Sequence, residues 1–202
     1  MKDPPPILPP SIISMAFASS LFLLVLLGVA LGDEKAAGTG TTSDGTIAPR
    51  GQRMARDIKY GDWRKVCFKP GGASMVCRTS ISGTWDTGQV AVRADLIERE
   101  GESAARLQLF LPVGLYLPAG VKVAIDQGAA HQIPYVWCLT NTCIAAEVAD
   151  PKMIEEMAAG QTLAVEVVDS NVLTVTTTLP LAQFASVRRN PPAQTFEQDI
   201  DE

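Results

Sequence analysis

Residues 67–77, CFKPGGASMVC, decide the fold of this chain because they place a cysteine on each side of a turn. The run Pro70-Gly71-Gly72 has the residues that a tight reversal of the backbone needs. A hairpin around this turn brings Cys67 and Cys77 opposite each other. Opposite residues of an antiparallel pair have Cα atoms about 4.5–5.5 Å apart, within disulfide range. The stretch therefore predicts a disulfide-linked β-hairpin.

A second cysteine pair repeats this arrangement. Cys138 and Cys143 flank a four-residue loop, and we predict that they pair locally, although four cysteines allow three connectivities. Because both loops are short, each bridge contributes about 2–3 kcal/mol on the chain-entropy relation. Neither pair has the C-x-x-C spacing of a redox centre, and no helix N-terminus follows either first cysteine to lower a thiol pKa. Structural disulfides in turn indicate a protein that folds outside the cytoplasm.

Short segments with strand character surround both hairpins. Residues 90–97, VAVRADLI, alternate with period two, so one face points inward. Residues 163–168 and 172–179 are separated by the polar turn Asp169-Ser170-Asn171. Many short strands with regularly spaced turns are typical of an antiparallel β-sandwich. We predict an all-β fold of this kind with about 9–10 short strands.

One short helix interrupts the strands near residues 151–159. Asp150 can cap its first N–H groups, Pro151 suits its first position and Gly160 favours its end. Its apolar side chains fall on one face, which we expect to dock on the sheets: Met153, Ile154 and Met157.

The first 32 residues form a signal peptide or an N-terminal membrane anchor. Residues 12–31 are uncharged and long enough, at 1.5 Å per residue, to cross a hydrocarbon core of about 30 Å. Ala30-Leu31-Gly32 resembles a signal-peptidase site, whereas the proline-rich start and the long apolar stretch favour retention. Both alternatives remain open, and both deliver the domain to the extracytoplasmic side. The protein is then either soluble in the periplasm or anchored to the inner membrane by one helix.

The rest of the chain divides into three parts. Residues 33–56 are small, polar and glycine-rich, which predicts a flexible linker. Residues 57–188 carry the strand pattern and form the β-sandwich domain. Residues 189–202 are acidic and broken by prolines, which predicts a disordered tail.

Composition argues against several functional classes. The formal net charge of −5, with scattered basic residues, does not favour nucleic acid as a partner. His131 is the single histidine, and it lies in a loop-like stretch without a nucleophile and carboxylate nearby in sequence. The sequence shows no pattern for a metal site, and we expect neither a cofactor nor catalytic residues.

The aromatic residues are candidates for either packing or binding. We expect Trp63 and Trp137 to pack in the core beside the disulfides. Trp85 lies among loop residues, so it is the candidate for a binding surface.

The order and spacing of several motifs resemble the invasion-associated locus B family of alphaproteobacterial envelope proteins. The resemblance covers about residues 58–188. The matching pieces include Gly61-Asp62-Trp63 before Cys67 and Cys77, Leu111-Pro112-Val113-Gly114-Leu115, Pro118-Ala119-Gly120-Val121 with Asp126, Cys138 with Cys143-Ile144-Ala145-Ala146, Ala159-Gly160, and residues 179–187 with Phe184. Two features depart from the family pattern: residues 179–187 lack the glycine before Phe184, and the N-terminal region is longer and richer in proline.

The resemblance implies a secreted or periplasmic β-sandwich in which Phe184 is structural. The family takes its name from a link to erythrocyte invasion, and similar proteins occur in many free-living relatives, so virulence and a general envelope role both fit. We expect a non-catalytic module that binds an envelope or host-surface protein or glycan. The alternative is an envelope hydrolase with a site built from carboxylates.

The fate of residues 12–31 can be measured directly. Cleavage after Gly32 gives a soluble protein that begins at Asp33, whereas an anchor keeps the intact chain in the membrane. N-terminal sequencing of the native protein, with a carbonate wash of the membranes, separates the two. A mature start at Asp33 in the soluble fraction contradicts the anchor, and an intact N-terminus that resists the wash contradicts the signal peptide.

Overall fold

The computed structural model describes residues 47–198. The predicted signal peptide or anchor, the linker as far as residue 46, and residues 199–202 of the tail lie outside the described residues. Between residues 47 and 198, no helix is both long and apolar enough to cross a bilayer.

Two β-sheets make up most of this region. The strands, in chain order, are β1 (Gly51–Met54), β2 (Lys59–Tyr60), β3 (Arg64–Lys69), β4 (Val76–Thr84), β5 (Val90–Arg99), β6 (Ala105–Leu111), β7 (Val121–Ile125), β8 (His131–Ile133), β9 (Tyr135–Cys138), β10 (Cys143–Ala149), β11 (Thr162–Val168), β12 (Leu173–Pro180) and β13 (Gln194–Glu197). The smaller sheet has the order β1-β12-β11-β7-β8. The larger sheet has the order β13-β3-β4-β5-β6-β10-β9, with β2 also paired to β4.

The inward-facing side chains of both sheets share one apolar core. Val92, Ala94 and Leu96 of β5 are fully buried, as the alternation in residues 90–97 predicts. Val121 and Val165 contribute to the core from the smaller sheet. Full burial of one such side chain contributes roughly 1.5–3 kcal/mol. These observations confirm the predicted all-β sandwich.

Both disulfides join the pairs expected from the sequence. Cys67 bonds Cys77 across β3 and β4, and Cys138 bonds Cys143 across β9 and β10. In both hairpins the two cysteines are directly opposed in the strand register.

The predicted helix is present as α1 (Pro151–Ala159). The Asp150 carboxylate accepts a hydrogen bond from the Met153 N–H at 2.8 Å, which caps the first turn. Gly160 ends the helix with φ at −77°, so glycine is not needed there for a left-handed backbone. It is needed for space, because a Cβ atom would lie 2.5 Å from Cγ2 of Ile125. The three apolar residues of α1 are buried, as expected: Met153, Ile154 and Met157.

The domain extends further at both ends than the sequence indicated. Residues 51–54, assigned to the linker, form β1, and residues 194–197, assigned to the disordered tail, form β13. Both strands pair in parallel at a sheet edge, β1 with β12 and β13 with β3, whereas the other pairings are antiparallel. The side chains of β1 and β13 are mostly exposed, so these strands are held in the sheets by main-chain hydrogen bonds. Their sequences therefore lack the apolar alternation from which a strand is predicted. Such short strands raise the number of strands among the described residues to 13.

A second helix, α2 (Phe184–Arg189), was not predicted. Its first residue, Phe184, is fully buried and meets Trp63 edge to face, with ring centroids 4.9 Å apart. Trp63 also donates from Nε1 to the carbonyl oxygen of Pro180 at 2.7 Å. The Trp63 indole thus joins the start of β3 to the end of β12 and to α2.

Substitution of Phe184 tests the importance of this contact. We expect F184A to lower the free energy of unfolding by about 3–5 kcal/mol, because it leaves a cavity beside Trp63. The control is F196A on the edge strand β13, where the side chain is 48% exposed and the expected loss is about 1 kcal/mol or less. Urea denaturation of both variants measures the difference, and equal losses would contradict the assigned role of Phe184.

Candidate functional site

A cleft of about 1050 Å³ opens between the two sheets, at the end of the sandwich remote from α1 and α2. Its walls come from β1 and the residues after it, the β4–β5 turn, the segment after β6, and the ends of β11 and β12. The lining residues are Gln52, Arg53, Met54, Ala55, Arg56, Ile58, Trp85, Ala91, Leu111, Pro112, Val113, Gly114, Leu115, Val165, Val167, Asp169, Ser170, Asn171, Val175 and Thr177.

The buried part of this lining is apolar. Ala91, Leu111, Val165 and Val167 are each at most 9% exposed, and they come from β5, β6 and β11. Leu111, Val165 and Val167 belong to the inward-facing alternation that builds the core, and Ala91 joins them where the pairing of β4 and β5 shifts register. All four lie near the open end of their strands. The cleft is therefore an unfilled continuation of the hydrophobic core.

Trp85 lies on the wall of the cleft. The β4–β5 turn places it there: the Trp85 N–H donates to the Gln89 carbonyl at 3.0 Å, and the Gly88 N–H donates to the Trp85 carbonyl at 2.8 Å. Gly88 has φ at 80°, a left-handed value that favours glycine. The Trp85 side chain is half-buried, so part of it remains accessible from solvent. The candidate for a binding surface thus lines this cleft.

Asp169 orders the polar rim of the cleft. Its Oδ1 accepts hydrogen bonds from the N–H groups of Asn171 and Leu173 at 2.9 and 3.0 Å, and its Oδ2 accepts from Nη2 of Arg53 at 3.3 Å. These bonds stabilise the charged form and lower the pKa of Asp169, the bond from Leu173 contributing most. The turn predicted at Asp169-Ser170-Asn171 is therefore also the support of the rim.

A hydrogen bond between the sheets stands beside the cleft. The hydroxyl groups of Tyr60 on β2 and Thr177 on β12 lie 2.7 Å apart, and Thr177 lines the cleft. Burial raises the pKa of Tyr60. Gly83 gives the Tyr60 ring its space, because a Cβ atom there would lie 2.6 Å from Cε1 of the ring.

The other candidate residues lie elsewhere. Trp63 and Phe184 are buried in the core, at 5% and 0% exposure. The expectation of a buried Trp137 is wrong: it is 66% exposed, because it lies on the edge strand β9 and faces outward beside Ile144. His131 lies half-buried in strand β8 and not in an exposed loop. The pKa of Glu147 is raised by burial, an effect that His131 partly offsets.

The cleft does not contain a pair of carboxylates. Asp169 is the one acidic residue among its lining residues, and both its oxygens already accept hydrogen bonds. Across residues 47–198, no group of three or more His, Cys, Asp or Glu side chains is arranged to hold a metal ion.

These features define a class of protein: an all-β sandwich with two disulfides and an open cleft that has an apolar floor and a polar rim. The model of the family described as "Invasion associated locus B (IalB) protein" matches residues 63–191, more than half of the chain. The chain belongs to this family, and the family and the disulfides together indicate an extracytoplasmic protein.

A solved structure supports the fold. The crystal structure of invasion associated protein B from Bartonella henselae is similar to this chain, with a TM-score of 0.57 and 19% sequence identity. The similarity covers 64% of this chain and 90% of the Bartonella henselae chain. No curated protein sequence matches the chain.

Acid titration tests the role of Asp169. A carboxylate whose pKa is lowered by folding stabilises the protein at pH values above its unfolded pKa of about 3.9, and this contribution disappears as pH falls through the folded pKa. D169N should therefore be less stable than wild type at pH 7, and the difference should shrink as pH falls from about 4 to 2. Urea denaturation at several pH values measures it. D86N is the control, because Asp86 forms an exposed ion pair with Lys59 that contributes little. A difference between D169N and wild type that is independent of pH would contradict the prediction.

Proposed function

We propose that this protein is a non-catalytic, extracytoplasmic binding protein that takes an apolar group of an envelope or host-surface component into the cleft. One observation carries the proposal: a cleft of about 1050 Å³ with an apolar floor and the half-buried Trp85 on its wall. Ligand sites in proteins are typically concave, mostly apolar and about 300–1000 Å³ in volume, with a few polar groups that fix orientation.

The rim supplies the polar groups. Arg53 is held by Asp169, and Arg56 is an exposed lining residue of the same wall. Burial of an apolar ligand group against Trp85 and the floor contributes roughly 25 cal/mol per Å² of area removed from water. The two arginines then favour a ligand that has a polar or anionic group next to its apolar part.

The chemistry of the cleft favours binding over hydrolysis. A glycosidase needs two carboxylates about 5–9.5 Å apart across the bond that is cleaved. The cleft contributes Asp169 alone, and the bonds that lower its pKa keep it charged, which is unsuitable for a general acid at neutral pH.

The role of the cleft can be tested with a neutral apolar dye, Nile red, and paired substitutions. Val113 on the rim is 49% exposed and Val136, on β9 and outside the cleft, is 51% exposed. V113D places a carboxylate at the mouth, so we expect the affinity for Nile red to fall by about tenfold. V136D adds the same charge elsewhere and should change the affinity by less than about twofold. W85A should also weaken binding, since it removes part of the apolar wall.

Three measurements complete the test. Fluorescence titration gives the dissociation constants, and thermal unfolding confirms that the variants remain folded. Mass spectrometry of organic extracts of the protein purified from its host identifies a co-purified ligand. Equal effects of V113D and V136D, or no binding of the dye by wild type, would contradict the proposal.

A further inference from the structure

The outward face of the larger sheet carries an arginine on each of four consecutive strands. These residues, which we name the arginine track, are Arg64 on β3, Arg78 on β4, Arg93 on β5 and Arg106 on β6. Adjacent strands lie about 4.8 Å apart, so the track extends roughly 14 Å across the strands.

The strand register places these side chains on one face. Ile97 is paired on one side with Arg78 and on the other with Arg106. Asp95, two residues before Ile97, is paired with Ser80, which is itself paired with Arg64. This outward set alternates with the fully buried Ala94 and Leu96, so it points away from the core.

The buried carboxylate of Asp95 holds two arginines of the track in place. Asp95 is 1% exposed, and its Oδ1 accepts a hydrogen bond from Nε of Arg93 at 2.7 Å. Nε of Arg78 lies 3.8 Å from Oδ2 of Asp95. The Arg93 guanidinium also lies over the ring of Phe110, 4.8 Å from its centroid. Two of the four guanidinium groups are therefore held in place before any ligand arrives.

The face is strongly positive although the protein is acidic. The formal net charge of the chain is −5, but Asp95 is the one acid among the outward-facing residues of β3, β4, β5, β6 and β10. Arg64 and Arg106 are exposed and form no ion pair within residues 47–198. The four arginines of the track thus share one carboxylate, and Arg99, at the end of β5 on the same face, pairs with Glu102.

An exposed indole continues the same face. Trp137 is paired with Ile144, which is paired with Phe110, which is paired with Arg93. These four side chains form one row across the sheet. The indole of Trp137 is a flat apolar surface at the edge of the sheet, beyond the guanidinium groups.

We propose that the arginine track and Trp137 form a binding site for a linear anionic polysaccharide that carries carboxylate or sulfate groups. Arg64 and Arg106 have no ion-pair partner among the described residues, so their guanidinium groups can bind such oxygen pairs in a bidentate manner, and Arg78 and Arg93 add positive charge between them. The C–H face of a sugar ring packs on the indole of Trp137. This site is separate from the cleft and does not depend on the function proposed for it.

The shape of the face favours an extended chain over other anionic partners. A sheet of this width is twisted, so it does not present a plane to a bilayer, whereas a flexible chain can follow the track from strand to strand. The extracytoplasmic location that the disulfides indicate favours a glycan partner over nucleic acid.

The test uses the protein as its host processes it, with heparin as the sulfated probe, polygalacturonate as the carboxylated probe and dextran as the uncharged control. We expect R64Q/R106Q to weaken binding to at least one charged probe by about tenfold or more. The control K122Q/K152Q removes the same charge from side chains that are 56% and 78% exposed on the smaller sheet and on α1, and it should change affinity by less than about twofold. W137A should weaken binding, and V113D should leave it unchanged.

Titrations at two salt concentrations and thermal unfolding of each variant complete the experiment. Binding of wild type that falls with salt and depends on Arg64 and Arg106 supports the site. Equal losses in the two double variants, or loss in V113D, would overturn it. Failure of wild type to bind either polysaccharide would overturn it too, as would equal or tighter arginine-dependent binding to polyglutamate or to vesicles that contain phosphatidylglycerol.

Discussion

The contact between Trp63 and Phe184 is the constraint on which the rest of the structure depends. Trp63 precedes β3 of the larger sheet, its indole N–H is bonded to the last residue of β12 in the smaller sheet, and its ring packs on the first residue of α2. A single side chain therefore fixes the spacing of two sheets and the position of a helix. Gln183 reinforces the junction, because its side chain bonds the Trp63 N–H and the Asp62 carboxylate.

The two ends of the sandwich differ: helices fill one end, and the other end is open. The apolar residues of α1 and Phe184 of α2 fill the space between the sheets where β11 begins and β12 ends. At the opposite end, where β11 ends and β12 begins, turns and the short 3₁₀ helix Leu117–Ala119 stand in place of α-helices. Apolar residues such as Val165 and Val167 line a cleft there. Beside the cleft, Tyr60 and Thr177 join the two sheets through their hydroxyl groups.

Local sequence signals predicted the features that depend on local geometry. The hairpins at Cys67–Cys77 and Cys138–Cys143, the turn at Asp169 and the capped helix α1 all follow from residues close together in the chain. The edge strands β1 and β13 did not follow, because they join the sheets through main-chain bonds to partners more than 100 residues away. The burial of Trp137 was predicted wrongly for a related reason: the alternation within β9 does not show that this strand lies at the edge of its sheet. The cleft and the arginine track required the register of several strands, although Arg93 and Asp95 already stood on the outward side of the alternation in residues 90–97.

The parallel pairing of β1 with β12 has a consequence for the solubility of the protein. Residues 172–179, VLTVTTTL, are uncharged, rich in β-branched residues and free of proline, a composition typical of segments that assemble into intermolecular sheets. Strand β1, with the polar sequence GQRM, covers the open edge of β12 and leaves Arg53 and Gln52 at the border of the sheet. Proteolysis between β1 and β2 would release this cover and leave the main-chain groups of β12 unpaired, and an edge of this kind is a template for aggregation. The segment that connects the domain to its N-terminal region thus also keeps neighbouring copies from joining edge to edge.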